Sequence, residues 1–157
     1  MRDAVTAYIA LGANLGQAAQ AVRDALPRVG ELPETKLVRH SSLYRTAPVA
    51  SGGPDYINAV AEVSTALNAP QLLDHLQALE QQAGRERPYP NAPRTLDLDL
   101  LLFGSARIAS ARLQVPHPRM YQRAFVLVPL AEIAPALVSP AQLQGVAGQA
   151  VSPLPAG

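Results

Sequence analysis

The chain has 157 residues, which fits one domain, and 48% of them are hydrophobic, enough to bury a core. It contains no Cys, which excludes disulfides, thiolate metal sites and a Cys nucleophile. With two Phe, five Tyr and no Trp, few rings could stack on nucleic-acid bases. No export signal and no apolar run of membrane-spanning length is present. We therefore expect a soluble, cytoplasmic protein without nucleic-acid or membrane partners. We also expect a monomer, although the sequence itself does not show the oligomeric state.

The net charge of +1 hides an uneven distribution, because basic residues concentrate between Arg85 and Arg123. All but one of the 13 basic residues are Arg, the side chain suited to forked contacts with phosphate. This pattern favours a compact polyanionic ligand over a long nucleic-acid backbone. The alternative is an ordinary solvated surface in which Arg replaces Lys through compositional bias.

Hydrophobic periodicity predicts an alternation of strands and helices. We expect strands at Val5 to Leu11, Thr35 to Tyr44, Tyr56 to Thr65, Leu96 to Phe103 and around Leu113 to Val115. A first helix follows Asn14, its expected cap, and should stop or bend near Ala25 or Leu26 because of Pro27. Asn68 and Pro70 open a second helix, which Gly84 closes.

The later part of the chain is less regular. The segment from Arg119 to Ala131 predicts one or two short helices. From Ala134 onward Pro, Ala, Gly and Gln dominate, so we expect a less ordered tail from about residue 138 to 157. The order strand, helix, strand, strand, helix, strand indicates a single α+β domain with a ferredoxin-like core.

Alternation in the segment Leu96 to Leu100 places the leucines on one face of a strand and Asp97 and Asp99 on the other. Residues two apart on a strand face lie about 6.5–7 Å apart, so two ionised carboxylates there repel each other. A divalent cation removes the repulsion, and magnesium could bridge them to phosphate oxygens. The alternative is a solvated edge strand, although Asp is a poor strand former.

Other polar residues fit the same chemistry. Arg85, Arg87 and Arg94 precede the carboxylates on a Pro-containing loop and could hold charge on a transferred phosphate group. Tyr56 and Asn58 share a strand face and could bind a flat heterocycle. His117, between two prolines, could donate to phosphate or simply cap a loop.

Several segments together resemble the 6-hydroxymethyl-7,8-dihydropterin pyrophosphokinase family. The resemblance extends to about Leu137 and rests on Tyr8 to Gly16, Ser41 to Thr46, Pro54 to Ala59, Val115 to His117 and, most specifically, Pro93-Arg94-Thr95-Leu96-Asp97-Leu98-Asp99. It implies a three-layered α/β/α fold with a mainly antiparallel sheet. It also implies transfer of pyrophosphate from ATP to the pterin hydroxymethyl group, with release of AMP, in folate biosynthesis.

The resemblance also implies roles for particular residues. Asp97 and Asp99 would bind two magnesium ions, and Arg85 and Arg94 would join them as catalytic residues. ATP would contact Gln77, Arg85, Arg87, Arg94, Leu100, Arg112, Gln114, His117 and Arg123, with Glu80 near the nucleotide. The pterin would contact Thr46, Ala47, Val49, Tyr56, Asn58 and Phe125. This sequence departs from the family in the loop at Tyr89-Pro90-Asn91 and at Pro118.

Two other classes of function could use some of the same residues. A nucleotidyl transferase or nuclease could use the same carboxylate pair, but it would be expected to have a third carboxylate and a broader basic face. A non-enzymatic sensor or RNA-binding module could share the fold, against which the few aromatic residues and near-neutral charge weigh.

Overall fold

The computed structural model describes residues 3–14, 16–47, 55–83 and 96–155. The strands are β1 (Val5–Ala13), β2 (Thr35–His40), β3 (Tyr44–Thr46), β4 (Tyr56–Thr65), β5 (Asp97–Phe103), β6 (Ile108–Ala109), β7 (Gln114–Val115) and β8 (Val151–Pro153). The helices are α1 (Ala18–Gly30), α2 (Ala69–Ala83), α3 (Ala124–Ile133) and α4 (Pro140–Gly145). Short 3-10 turns lie at Met120–Gln122 and Pro135–Leu137.

The main sheet has the strand order β5-β1-β4-β3-β8, with β2 also paired to β4. Every pairing in it is antiparallel, and β6 and β7 form a separate two-stranded ribbon. Helices α1 and α2 pack on one face of the sheet and α3 on the other. The expected three-layered α+β architecture with a ferredoxin-like core is therefore confirmed.

The alternating pattern of β1 gives the sheet two different faces. Ala7, Ile9 and Leu11 are buried against the core that α1 and α2 cover. Tyr8 and Ala10 point to the opposite face and pack with the core formed by α3. The sheet thus separates two hydrophobic clusters.

A β-bulge in β5 changes which residues face each layer. Tyr8 pairs with Leu102 but Ile9 pairs with Leu100, which leaves Leu101 as the extra residue. Leu100 is buried in the core beneath α1 and α2, whereas Leu101 is buried with α3. The bulge follows the carboxylate pair directly, so the regular alternation holds across Asp97 and Asp99 and ends after them.

The first helix differs from its sequence-based prediction at both ends. Strand β1 continues to Ala13, so α1 begins at Ala18 with Gln17 at its N-cap, and Asn14 is not the cap. The helix also passes through Pro27 and ends at Gly30. Leu26 and Val29 are buried on either side of this proline, and their packing outweighs the loss of one helical hydrogen bond.

The predictions for the second helix and the second strand have different outcomes. The predicted cap of α2 is confirmed, since Asn68 Oδ1 accepts from the Gln71 N–H at 2.8 Å and Gln71 Oε1 from the Asn68 N–H at 2.9 Å. Gly84, the predicted end of that helix, lies outside the described residues. The predicted strand Thr35 to Tyr44 is instead two strands, β2 and β3, separated by residues 41–43.

The C-terminal segment contains more structure than its composition predicts. Ser139 and Gln142 form a reciprocal capping box at the start of α4. Strand β8 then pairs with β3, and the Leu154 N–H donates to the Leu43 carbonyl at 2.8 Å. Among the described residues, none of the helices is both long and apolar enough to cross a membrane.

Candidate active site

The two carboxylates of β5 lie on the same face of the sheet, as the alternation predicts. Asp97 and Asp99 are half-buried, while Leu96, Leu98 and Leu100 are buried in the core below α1 and α2. Asp97 pairs with Gly12 and Asp99 with Ala10, which directs both carboxylates to the face that carries α3. Two acidic side chains on alternate residues, whose α-carbons are about 6.5–7 Å apart in a regular strand, thus lie at one edge of the sheet.

A row of three paired positions connects Asp97 with the predicted heterocycle site. Gly12 pairs with Asp97 on one side and with Asn58 on the other. Gly12 has no side chain, and the Asn58 amide lies close above it. A Cβ at Gly12 would lie 3.0 Å from Asn58 Oδ1, so glycine is needed here for close approach rather than for its backbone angles.

Asn58 is held by a second residue predicted to contact the pterin. Its Nδ2 donates to Thr46 Oγ1 at 2.9 Å, and both side chains are buried. Thr46 in turn pairs with Tyr56, which is half-buried on β4. Three of the predicted pterin contacts are therefore adjacent, and a hydrogen bond fixes the orientation of the central amide.

A residue of α2 fixes the backbone between the carboxylates. Strand β5 is at the edge of the sheet, and the Leu98 N–H donates to Glu80 Oε2 at 2.7 Å. A charged acceptor makes this a strong hydrogen bond. Glu80, which the family resemblance places near the nucleotide, thus orients the peptide between Asp97 and Asp99.

His117 lies beside β5 and is held through its backbone and its ring. Its N–H donates to the Leu101 carbonyl at 2.9 Å, and its Nδ1 accepts from the Arg119 N–H at 3.2 Å. Burial lowers the pKa of His117, as do Arg123 and Arg119, against the opposing influence of Asp99. The neutral ring therefore carries its proton on Nε2 and can donate a hydrogen bond to an anion.

Cationic side chains lie at two further positions. The guanidinium of Arg123 is 5.4 Å from the centre of the Phe125 ring, a cation–π contact at the start of α3. Arg112 forms an ion pair with Asp74 of α2 and donates to Gln77 Oε1 at 3.2 Å. The structure thus brings Arg123 next to Phe125 and Arg112 next to Gln77. The family resemblance assigns all four residues to substrate contacts.

The remaining predicted residues have mixed positions. Gln114 is exposed on β7 and Ala47 is exposed just after β3. The side chain of Leu100 is buried in the core, so only its backbone could face a nucleotide. Four predicted residues lie outside the described part of the chain: Arg85, Arg87, Arg94 and Val49.

The composition of the site suits a hard cation that also takes ligands from its substrate. No group of three or more His, Cys, Asp or Glu residues able to hold a metal occurs in the described ranges. Magnesium is typically bound through one or two carboxylates together with waters and substrate phosphates. Asp97 and Asp99, half-buried on the same face of β5, match that requirement. They do not match a closed structural metal site.

Paired carboxylates suited to magnesium, a neutral imidazole and nearby arginine side chains supply the metal binding and positive charge that phosphoryl transfer requires. Comparison with known proteins identifies the family. The family model described as 7,8-dihydro-6-hydroxymethylpterin-pyrophosphokinase (HPPK) matches residues 8–135. The chain belongs to this family and is therefore a pyrophosphokinase of folate biosynthesis.

Curated relatives agree with this assignment. A protein of Haemophilus influenzae is 47% identical over 137 residues, covering 87% of this chain and 86% of the relative. One of Pseudomonas aeruginosa is 47% identical over 134 residues, covering 85% of this chain and 83% of the relative. Both are named 2-amino-4-hydroxy-6-hydroxymethyldihydropteridine pyrophosphokinase.

Solved structures agree on the fold. The chain is similar to wild-type Plasmodium falciparum HPPK-DHPS with pterin and p-hydroxybenzoate, with a TM-score of 0.63 and 14% identity. The match covers 86% of this chain, which spans 40% of that longer protein. A second HPPK-DHPS structure, solved in complex with substrates, gives a TM-score of 0.64 at 12% identity over 85% of this chain and 40% of the other.

Proposed function

We propose that this chain transfers pyrophosphate from ATP to 6-hydroxymethyl-7,8-dihydropterin, giving the pterin diphosphate and AMP. The observation that carries the proposal is the row of Asp97, Gly12 and Asn58 across three neighbouring strands. In this row the Asp97 carboxylate, which is suited to binding a magnesium ion that carries phosphate, lies two strands from the Asn58 amide. The amide is held in one orientation and is suited to hydrogen-bonding a heterocycle. Family membership supplies the identity of the two substrates.

The pterin would occupy the slot beside β3 and β4. Because Asn58 Nδ2 already donates to Thr46, its Oδ1 on the Gly12 side is available to accept from a ring N–H or amino group. Tyr56 and Phe125 would enclose the flat ring, and Ala47 and Val49 would complete the slot. An amide held in one orientation favours a ring whose donors match it and leaves mismatched rings with unpaired groups.

ATP would extend from the carboxylates toward α2 and α3. Gln77 and Arg112, which already contact each other, would bind it together with Gln114 and the backbone of Leu100. His117 would donate through Nε2 to a phosphate oxygen, and Arg123 would add positive charge nearby. We include Arg85, Arg87 and Arg94 in this role because they precede the carboxylate pair in the sequence.

Asp97 and Asp99 would hold magnesium, two ions in our proposal. Bound metal would supply charge neutralisation for the phosphates and lower the pKa of a ligated hydroxyl. The residues of the chain then have separate tasks. Asn58 and Thr46 orient the pterin so that its hydroxymethyl oxygen faces the β-phosphorus. Glu80 keeps both carboxylates directed at the phosphates, and the arginines stabilise the charge that develops on AMP and on the transferred group.

We further propose that the protein works as a cytoplasmic monomer without a nucleic-acid or membrane partner. The near-neutral charge of +1 supports the absence of a nucleic-acid partner. Size-exclusion chromatography with light scattering would test the oligomeric state. A mass twice that of the chain would contradict the monomer.

Chromatographic detection of AMP tests the reaction. With ATP, magnesium and hydroxymethyl dihydropterin, AMP and pterin diphosphate should form in equal amounts. Release of ADP or pyrophosphate in place of AMP would contradict pyrophosphoryl transfer and favour the alternative phosphate chemistries.

Calorimetry separates the enzyme from a ligand sensor. The pterin should bind tightly only when magnesium and a non-hydrolysable ATP analogue are present, because the nucleotide would complete the slot. Equally tight pterin binding in the absence of both would instead favour a sensor.

A further inference from the structure

The C-terminal segment contacts two elements that carry proposed substrate residues. It lies beyond residues 8–135, the range that the family model matches. Gln149, in this segment, reaches the junction before α3, where Arg123 and Phe125 lie. Strand β8, two residues later, pairs with β3, which carries Thr46.

The Gln149 amide bridges the backbone on both sides of Arg123. Its Oε1 accepts from the Ala124 N–H at 2.9 Å, and its Nε2 donates to the Gln122 carbonyl at 2.9 Å. Arg123 occupies the N-cap position of α3 but makes no capping hydrogen bond with its own side chain. Gln149 therefore provides the cap from 25 residues away and also fixes the end of the preceding 3-10 turn.

Strand β8 extends the same connection to the opposite side of the slot. Val151 pairs with Thr46 and Ser152 with Arg45. Thr46 accepts the hydrogen bond from Asn58, so this pairing supports the residue that orients the proposed pterin-binding amide. Six residues, from 149 to 154, thus connect the side of the slot that carries Phe125 to the side that carries Thr46.

We propose that Gln149 is a positioning residue for substrate binding, which acts by fixing Arg123 and Phe125 relative to Thr46. The proposal rests on the function proposed above, since those three residues are its substrate contacts. Without the two hydrogen bonds of Gln149, the backbone at the start of α3 would be free to shift. The Phe125 ring and the Arg123 guanidinium would then move together, because both extend from this stretch of backbone. Loss of Gln149 would then raise KM for the pterin and for ATP by more than the accompanying loss of thermal stability can explain.

The replacements Gln149→Ala and Gln149→Glu separate positioning from stability. Alanine removes both hydrogen bonds. Glutamate can still accept from the Ala124 N–H and adds a favourable negative charge at the helix N-terminus, but it cannot donate to Gln122. We therefore expect Gln149→Glu to be at least as stable to heat as Gln149→Ala, although its second carboxylate oxygen would repel the Gln122 carbonyl. It should still raise KM for the pterin about fivefold, a loss of about 1 kcal/mol in binding.

The control is Gln144→Ala, in an exposed glutamine of α4 whose side chain makes no hydrogen bond among the described residues. This variant should keep both KM values within twofold of wild type. If both Gln149 variants also stay within twofold while the wild type forms AMP, the positioning role is wrong. KM losses that simply follow the melting temperature across the variants would likewise overturn it.

A wild-type enzyme that forms no AMP would refute the proposed function, and with it the role of Gln149 in positioning substrate contacts.

Amide hydrogen exchange tests the two hydrogen bonds of Gln149 without depending on turnover. The Ala124 N–H should exchange faster in Gln149→Ala than in the wild type and remain protected in Gln149→Glu. If the Ala124 N–H exchanged at the wild-type rate in Gln149→Ala, Gln149 would not fix this junction, whatever the activity of the enzyme.

Discussion

A Cβ on Gly12 would lie 3.0 Å from Asn58 Oδ1, closer than carbon and oxygen normally pack. Asn58 has little freedom to move away, because it is buried and donates to Thr46 at 2.9 Å. Gly12 also pairs with Asp97 on its other side. Its missing side chain therefore preserves the position of the Asn58 amide next to the strand pair that carries Asp97.

The variant Gly12→Ala should raise KM for the pterin about tenfold, equivalent to about 1.4 kcal/mol, because Asn58 must rotate or shift. We expect KM for ATP to change far less. Steady-state kinetics with each substrate varied in turn would measure both values. Gly145→Ala is the control, since a Cβ there would have no neighbour within 4 Å. A Gly12→Ala enzyme with normal pterin KM would show that pterin binding does not depend on the position of Asn58 over Gly12.

Glu80 provides a second test, which addresses the carboxylate pair through its backbone. Removing the acceptor for the Leu98 N–H should let the peptide between Asp97 and Asp99 rotate. We expect Glu80→Ala to lower kcat about tenfold, or about 1.4 kcal/mol, with little change in pterin affinity. Glu80→Gln keeps an acceptor oxygen and should recover most of that activity.

The control for this test is Gln81→Ala, at the next position of the same helix, where the side chain is exposed. It should retain wild-type kcat and pterin affinity. If Glu80→Gln were as impaired as Glu80→Ala, the negative charge of Glu80, rather than its hydrogen bond to the backbone, would be the important property.

The contact of α3 with the β2–β3 connection should make stability depend on pH. Glu132 accepts from the Ser42 N–H and hydroxyl at 3.0 Å and from the Tyr44 hydroxyl at 2.5 Å. Burial tends to raise the pKa of Glu132, but these hydrogen bonds outweigh it and hold that pKa below its ordinary value. Burial and the Glu132 contact raise the pKa of Tyr44 to about 12, so Tyr44 remains a donor at neutral pH.

Because the pKa of Glu132 is lower in the folded state, its contribution is full above the unfolded-state pKa of about 4.3 and disappears as pH falls through the folded value. Glu132→Gln should therefore lose about 1 kcal/mol of unfolding free energy at pH 7, a figure that allows for solvent exposure. Near pH 3 the difference from wild type should shrink. Urea unfolding at both pH values measures this, with exposed Glu31→Gln as the control, and a pH-independent difference would contradict the assignment.

The regular parts of the fold could be predicted because their periodicity matches local geometry. Strand β4 has the predicted bounds Tyr56 and Thr65, and Asn68 caps α2 as its sequence indicates. The alternation of Asp97 and Asp99 with leucines placed the carboxylates on the correct face. In each case, neighbouring residues alone determine the outcome.

The sequence could not predict features that depend on distant parts of the chain. Burial of Leu26 and Val29 carries α1 past Pro27, a tertiary effect that local propensity misses. The pairing of β8 with β3 depends on a strand edge that is formed by a distant part of the chain. The hydrogen bond from the Ala124 N–H to Gln149 likewise joins residues 25 positions apart. The predicted first strand ends at Leu11, before Gly12, because the close neighbour of Gly12, Asn58, is 46 positions away and does not contribute to the local pattern.

The measurement that tests the central claim most directly is the rate of AMP formation by Asp97→Asn as magnesium is varied. Asparagine keeps the size of the side chain but removes the charge that would hold the metal. We expect the variant to remain folded and to turn over about a thousandfold more slowly, a barrier increase of about 4 kcal/mol, with magnesium restoring little activity. Asp24→Asn, on the exposed side of α1, should behave as wild type. Near-normal AMP formation by Asp97→Asn at ordinary magnesium would contradict the claim that Asp97 holds the metal for pyrophosphoryl transfer.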